Sequence, residues 1–129
     1  MYLGIRTDSP EATFYLYEGA KRVEQKTWQA DRELAKKLLG ELEVFLGEHD
    51  QQFTTLKGLF IYKGPGSFTG LRIGTTVMNT LAYGLSIPIV GEKGDDWINN
   101  AVLKLNDGKN DTLVLPFYGA DPRITKPTK

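Results

Sequence analysis

The sequence predicts an α/β fold, a mixed sheet covered by helices, on the strength of three observations. Short apolar runs at Leu59 to Tyr62 and Ile87 to Val90 suit strands in a sheet interior. Two longer stretches, Asp31 to Leu46 and Thr69 to Tyr83, carry apolar residues at helical spacing. The first thirty or so residues are rich in Thr and aromatic side chains and are broken by short turns. An opening meander followed by strand–helix–strand alternation calls for right-handed crossovers feeding a parallel part of the sheet.

Tyr2, Leu3 and Ile5 begin a first strand that stops near Ser9 and Pro10. Thr13 to Tyr17 forms the second, and Glu18-Gly19-Ala20 turns the chain into a weaker third from Arg22 to Trp28. These short connections give an antiparallel meander. Leu34, Leu38, Leu42 and Phe45 then repeat at helical spacing, widened by Ala35, Leu39 and Leu46. Asp31 is placed to cap this helix, Glu33 and Lys37 are spaced for an i,i+4 pair, and Gly47 or the polar run His49 to Gln52 ends it. Gly40 weakens the helix and leaves room for a close neighbour. The stripe is wide enough that part of it either packs in the core or faces a partner.

In the second half, Leu59 to Tyr62 is an interior strand between Gly58 and Gly64. The helix from Thr69 to Tyr83 turns Leu71, Val77, Met78, Leu81 and Ala82 inward, with Gly84 as a left-handed stop. Ile87 to Val90 is the next strand, and Asp95 or Asp96 caps a helix reaching about Lys104. Asn106 to Asp111 is a loop, and Thr112 to Phe117 reads as a last strand. Residues 1–118 make one domain, and 119–129, with two prolines and several cations, make an extended tail.

Bulk properties narrow the functions. At 129 residues and 40% apolar, the chain can bury a core, which argues against general disorder. Sixteen Lys and Arg offset sixteen Asp and Glu, so no long-range field draws in nucleic acid or an anionic membrane, although a local basic patch remains open. The absence of cysteine excludes disulfides, thiolate chemistry and cysteine metal sites, and a single histidine, His49, argues against a zinc site. No run reaches the roughly 18–20 apolar residues of a membrane span, and the first ten residues lack the pattern of a secretory signal. A soluble cytoplasmic protein is expected.

The most informative stretch is Gly64-Pro65-Gly66-Ser67-Phe68-Thr69-Gly70, which joins a strand to a helix carrying Arg72. Pro65 fixes one backbone angle, Gly64 and Gly66 permit conformations closed to other residues, and Ser67 or Thr69 can cap the helix. Two readings follow. The turn lets loop and helix pack closely, with Arg72 pairing to a local carboxylate. Alternatively, the free amides hold an anion and Arg72 clamps it. The stretch is neither a Walker loop, which needs a lysine after its final glycine, nor the Rossmann pattern. Asp8, before Ser9-Pro10, reads as a turn cap ahead of a ligand. Asp121 and Arg123 form a local pair in the tail. His49 has no Ser or Cys partner implied by position, and no acid–base pair or triad stands out. Tyr15, Tyr17 and Trp28 read as sheet packing.

The string Lys63 to Gly74, KGPGSFTGLRIG, resembles the TsaB (YeaZ) family of tRNA threonylcarbamoyladenosine synthesis. Leu81 to Gly91 is similar to that family's next helix and strand, and Leu3 to Asp8 to its first strand. The likeness covers the family's N-terminal half and implies a truncated form. It implies an actin-like, ribonuclease H-like lobe of five strands, three antiparallel and then helix–strand–helix–strand–helix. It also implies a non-catalytic scaffold with no cofactor or metal of its own. Its partner would be TsaD, the nucleotide-binding enzyme that transfers threonylcarbamoyl to the adenosine beside the anticodon, with the ATPase TsaE joining them and tRNA contacted indirectly. The partner face would lie on the two lobe-one helices, at Leu34, Leu38, Leu42, Phe45, Thr76 and Thr80, and the same helices would serve a homodimer.

Three departures from the family stand out. Arg6 replaces an aspartate that holds magnesium and phosphate in actin-like ATPases, which argues against ATP hydrolysis. Leu34 replaces a histidine. The chain stops six residues after Gly119-Ala120-Asp121-Pro122-Arg123, which resembles the start of the family's second lobe. Two alternatives remain: a small nucleotide-binding phosphotransferase or ATPase using the Gly64–Gly70 turn and Arg72, and a tRNA-binding accessory module using Arg123, Lys126 and Lys129 of the tail.

Overall fold

The computed structural model describes residues 1–119. Strands β1 (Tyr2–Arg6), β2 (Glu11–Glu18) and β3 (Lys21–Gln29) form the expected meander. A 3₁₀ turn, Asp31–Glu33, leads into helix α1 (Leu34–Gly47). Strand β4 (Gly58–Tyr62), helix α2 (Phe68–Leu85), strand β5 (Ile89–Glu92) and helix α3 (Trp97–Asn106) follow. The sheet order is β3-β2-β1-β4-β5, with β4 parallel to both β1 and β5.

Side chains alternate across the strands and so define two cores. Leu3, Ile5, Phe14, Leu16, Leu59 and Ile61 face α1 and α2, where Leu34, Leu38, Leu42, Phe45 and Met78 meet them. Tyr15, Phe60, Tyr62 and Val90 face the other way, against Trp97, Ala101 and Leu105 of α3. Gly4, between Leu3 and Ile5, leaves its place on this second face to the Phe60 ring, which a Cβ at Gly4 would strike. Tyr15 and Tyr17 pack against Phe60, and Trp28 against Phe14, so these three aromatics are sheet packing as expected.

Several local expectations are corrected. Asp31 does not cap α1. It adopts a positive φ of 49°, and its carboxylate accepts from the Gln29 amide. Glu33 and Lys37 form no ion pair among the described residues. Gly40 faces open space, not a close neighbour. Helix α2 runs past Gly84, and Ser86, at φ 56°, takes the left-handed stop. Asp96 stands at the N-cap of α3 without a side-chain bond to it.

Thr112 to Phe117 is not a strand. The outer edge of β5 is already satisfied, because the Ile89 amide donates to Asn110 Oδ1 (3.0 Å) and the Gly91 amide to Asp111 Oδ2 (2.9 Å). Pro116 also lacks the amide a ladder needs. The tail, with Asp121, Arg123, Lys126 and Lys129, lies outside the described residues apart from Gly119.

Candidate functional site

The glycine-rich turn is built against the end of β1. The Ser67 amide donates to the carbonyl of Asp8 (2.9 Å), and the Ser67 hydroxyl accepts from the Gly70 amide (3.4 Å), making Ser67 the N-cap of α2. The Thr7 hydroxyl donates to the Gly70 carbonyl (2.8 Å). A Cβ at Gly66 would collide with Asp8, one at Gly70 with the Thr7 carbonyl, and one at Gly74 with the Thr7 hydroxyl. Gly70 and Gly74 stand one turn apart on α2, with Gly66 just ahead of the helix, and together they let the start of α2 lie against Thr7 and Asp8 at the end of β1. At each of the three there is no room for a side chain, which fits the packing reading; its other half, Arg72 paired to a local carboxylate, is not met among the described residues. Gly64 is placed differently, with φ at +125° and the Phe117 carbonyl filling its side-chain position.

Beside this turn, Arg6 and Asp8 close on each other. Arg6 Nε donates to Asp8 Oδ1 (2.8 Å) and Nη2 to Oδ2 (3.1 Å), a forked, charge-assisted pair. The guanidinium also lies 4.0 Å from the Tyr62 ring centroid, and the Tyr62 hydroxyl donates to the Pro65 carbonyl (3.0 Å). The hydrogen bond to Asp8 raises the pKa of Arg6, so the cation is fixed. Asp8 is therefore a partner of Arg6 and not a turn cap. The turn is served by Ser9, whose hydroxyl accepts from the Glu11 amide (3.3 Å). Among the described residues no three His, Cys, Asp or Glu side chains gather as a metal site. His49 sits apart, its Nδ1 3.0 Å from the Phe45 carbonyl.

The expected partner residues divide. Leu34, Leu38, Leu42 and Phe45 are buried beneath the sheet, so they are core and offer no surface; helical spacing marks the stripe but not what covers it. Thr76 and Thr80 are exposed. The surface that α1 and α2 do present is a groove of ≈ 320 Å³ lined by Ala35, Thr69, Arg72, Ile73, Thr76 and Val77. Leu39, 51% exposed, continues the Ala35 line one turn on, and Tyr83, 89% exposed, continues the Thr76 line. Leu39 is a part of the widened stripe that faces outward, as the sequence allows, whereas helical spacing gives no signal that Tyr83 is a surface residue. A second cleft of ≈ 810 Å³, lined by Ser67 and the 3₁₀ turn, adjoins the groove at Thr69 and Ile73. Arg72 has no carboxylate partner among the described residues, and its guanidinium lies 5.3 Å from the centroid of the exposed Phe68 ring.

An antiparallel meander continued by two parallel crossovers, with helices on both faces, defines an actin-like, ribonuclease H-like lobe. A YeaZ-like protein of Pseudomonas aeruginosa superposes with a TM-score of 0.66 at 24% identity, over 71% of this chain and 42% of the other. The family described as TsaD, tRNA N6-adenosine threonylcarbamoyltransferase, matches residues 28–109. The chain belongs to this family, in its TsaB (YeaZ) branch. The Bacillus subtilis tRNA threonylcarbamoyladenosine biosynthesis protein TsaB is 36% identical over 75 residues, which is 58% of this chain and 31% of the relative. The Haemophilus influenzae TsaB is 27% identical over 81 residues, 63% of this chain and 34% of the relative. The chain thus spans about a third of the length of these curated relatives. Among the described residues no helix is long and apolar enough to cross a membrane.

Proposed function

We propose that this chain is a non-catalytic accessory subunit of tRNA threonylcarbamoyladenosine synthesis, and that it presents the outer side of α1 and α2 to a TsaD-like transferase. The observation that carries the reading is the exposed groove between Ala35 and Thr76, with exposed Leu39 and Tyr83 elsewhere on the same two helices, on a lobe whose glycine-rich turn is packed closely against the end of β1. The Arg6–Asp8 pair supports it, because a fixed cation at the end of β1 repels a magnesium ion and leaves Asp8 engaged. The names of the relatives supply the pathway. A partner surface of this kind acts by selecting a productive conformation of the enzyme it binds, with no bond-breaking group of its own. A TsaE-like ATPase completes the assembly, and tRNA is held through the transferase.

Size-exclusion chromatography with light scattering tests this. The chain and the TsaD-like protein of the same organism are run alone and together at concentrations on the order of 10 μM, where a micromolar complex is populated. A heteromeric peak is the expected result. Two unaltered peaks refute the reading, and so does a homodimer of this chain that persists unchanged when the TsaD-like protein is added.

A further inference from the structure

After α3 the chain doubles back across the outer edge of β5 and finishes its described course against the glycine-rich turn. The Asp111 amide donates to the Ile89 carbonyl (2.8 Å). Asn79, on α2, then holds Val114 from both sides: its Nδ2 donates to the Val114 carbonyl (2.8 Å) and its Oδ1 accepts from the Val114 amide (2.9 Å). These are the two bonds a neighbouring strand residue would supply. The buried Val114 side chain fills the space a side chain at Gly91 would need. Further on, the Phe117 amide donates to the Lys63 carbonyl (2.6 Å), and Tyr118 stacks on Phe68 with centroids 4.6 Å apart.

The segment has no helix or ladder of its own, so its attachment rests on a few local bonds, the kind that open well below the global unfolding free energy. It also defines the turn it touches. Gly64, at φ +125°, has a wide choice of conformations, and the Phe117 carbonyl and the Lys63 bond select one of them. We infer that residues 112–118 are a latch hinged where Asn110 and Asp111 hold β5: when Asn79 lets go of Val114, the strap and the first turn of α2 loosen together, while β1 and β2 stay closed.

Amide hydrogen exchange resolved by NMR reads this directly on the full chain. Val114 and Phe117 report the strap, Ser67 and Leu71 the turn, and Ile5 and Phe14 the sheet. In the unaltered protein at low denaturant, strap and turn amides share one opening free energy and one denaturant slope, below those of the sheet. In Asn79→Ala both sets exchange about tenfold faster or more, and the sheet amides do not change. Acceleration of the strap alone, or different slopes for strap and turn in the unaltered protein, overturns the latch. If Asn79→Ala does not fold, the unaltered protein decides.

Discussion

Arg6 grips Asp8 through two hydrogen bonds at the end of β1 and lies over the Tyr62 ring. Because Tyr62 in turn bonds the Pro65 carbonyl, one ion pair ties the first strand to the turn that starts α2.

Removing the guanidinium leaves a largely shielded carboxylate without its partner. Arg6→Ala lowers stability by about 1 kcal/mol in urea unfolding, a figure kept small because the arginine itself is partly solvated. Arg6→Lys recovers only part of the loss, since an ammonium lacks the planar fork.

Two glycines separate packing from propensity. Gly70→Ala drives a Cβ into the Thr7 carbonyl and costs about 1–3 kcal/mol. Gly40→Ala, in an open helix interior, gains up to about 1 kcal/mol. Thermal or urea unfolding of the two variants should move in opposite directions.

Burial pushes the Tyr15 phenol above its usual pKa. Below about pH 10 the group is neutral in both folded and unfolded chains and contributes no pH dependence. Above it, the unfolded chain gives up this proton first, so stability falls as pH rises. Urea midpoints followed from about pH 8 to 11 should decline less steeply in Tyr15→Phe than in the parent.

Much of the lobe was legible because its signals are local. The switch from aromatic strands to the Leu34, Leu38, Leu42, Phe45 repeat located α1, and Gly64 to Gly70 marked the entry to α2. What failed depends on partners distant in sequence. Thr112 to Phe117 has the composition of a strand, yet Asn110 and Asp111 occupy the edge it would join. The Leu34–Phe45 stripe could be read as a surface only until β1 and β2 were seen to cover it. Gly84 looked like the stop of α2, but the helix closes two residues later at Ser86, so Ser86→Gly should stabilise the protein by about 1 kcal/mol in thermal unfolding.

The outer groove gives a separable prediction. Leu39→Asp and Thr76→Arg change exposed positions and should leave the unfolding midpoint nearly unchanged. Each should weaken binding to the TsaD-like protein by about tenfold or more in calorimetry, because a charge covered by a partner must be desolvated.

The most direct measurement is threonylcarbamoyl transfer to tRNA in a reconstituted reaction, with this chain and the TsaD-like protein added separately and together. The account predicts no transfer by this chain alone, a clear gain when both are present, and loss of that gain with Leu39→Asp. Transfer by the chain on its own, or a TsaD-like protein indifferent to its presence, would contradict it.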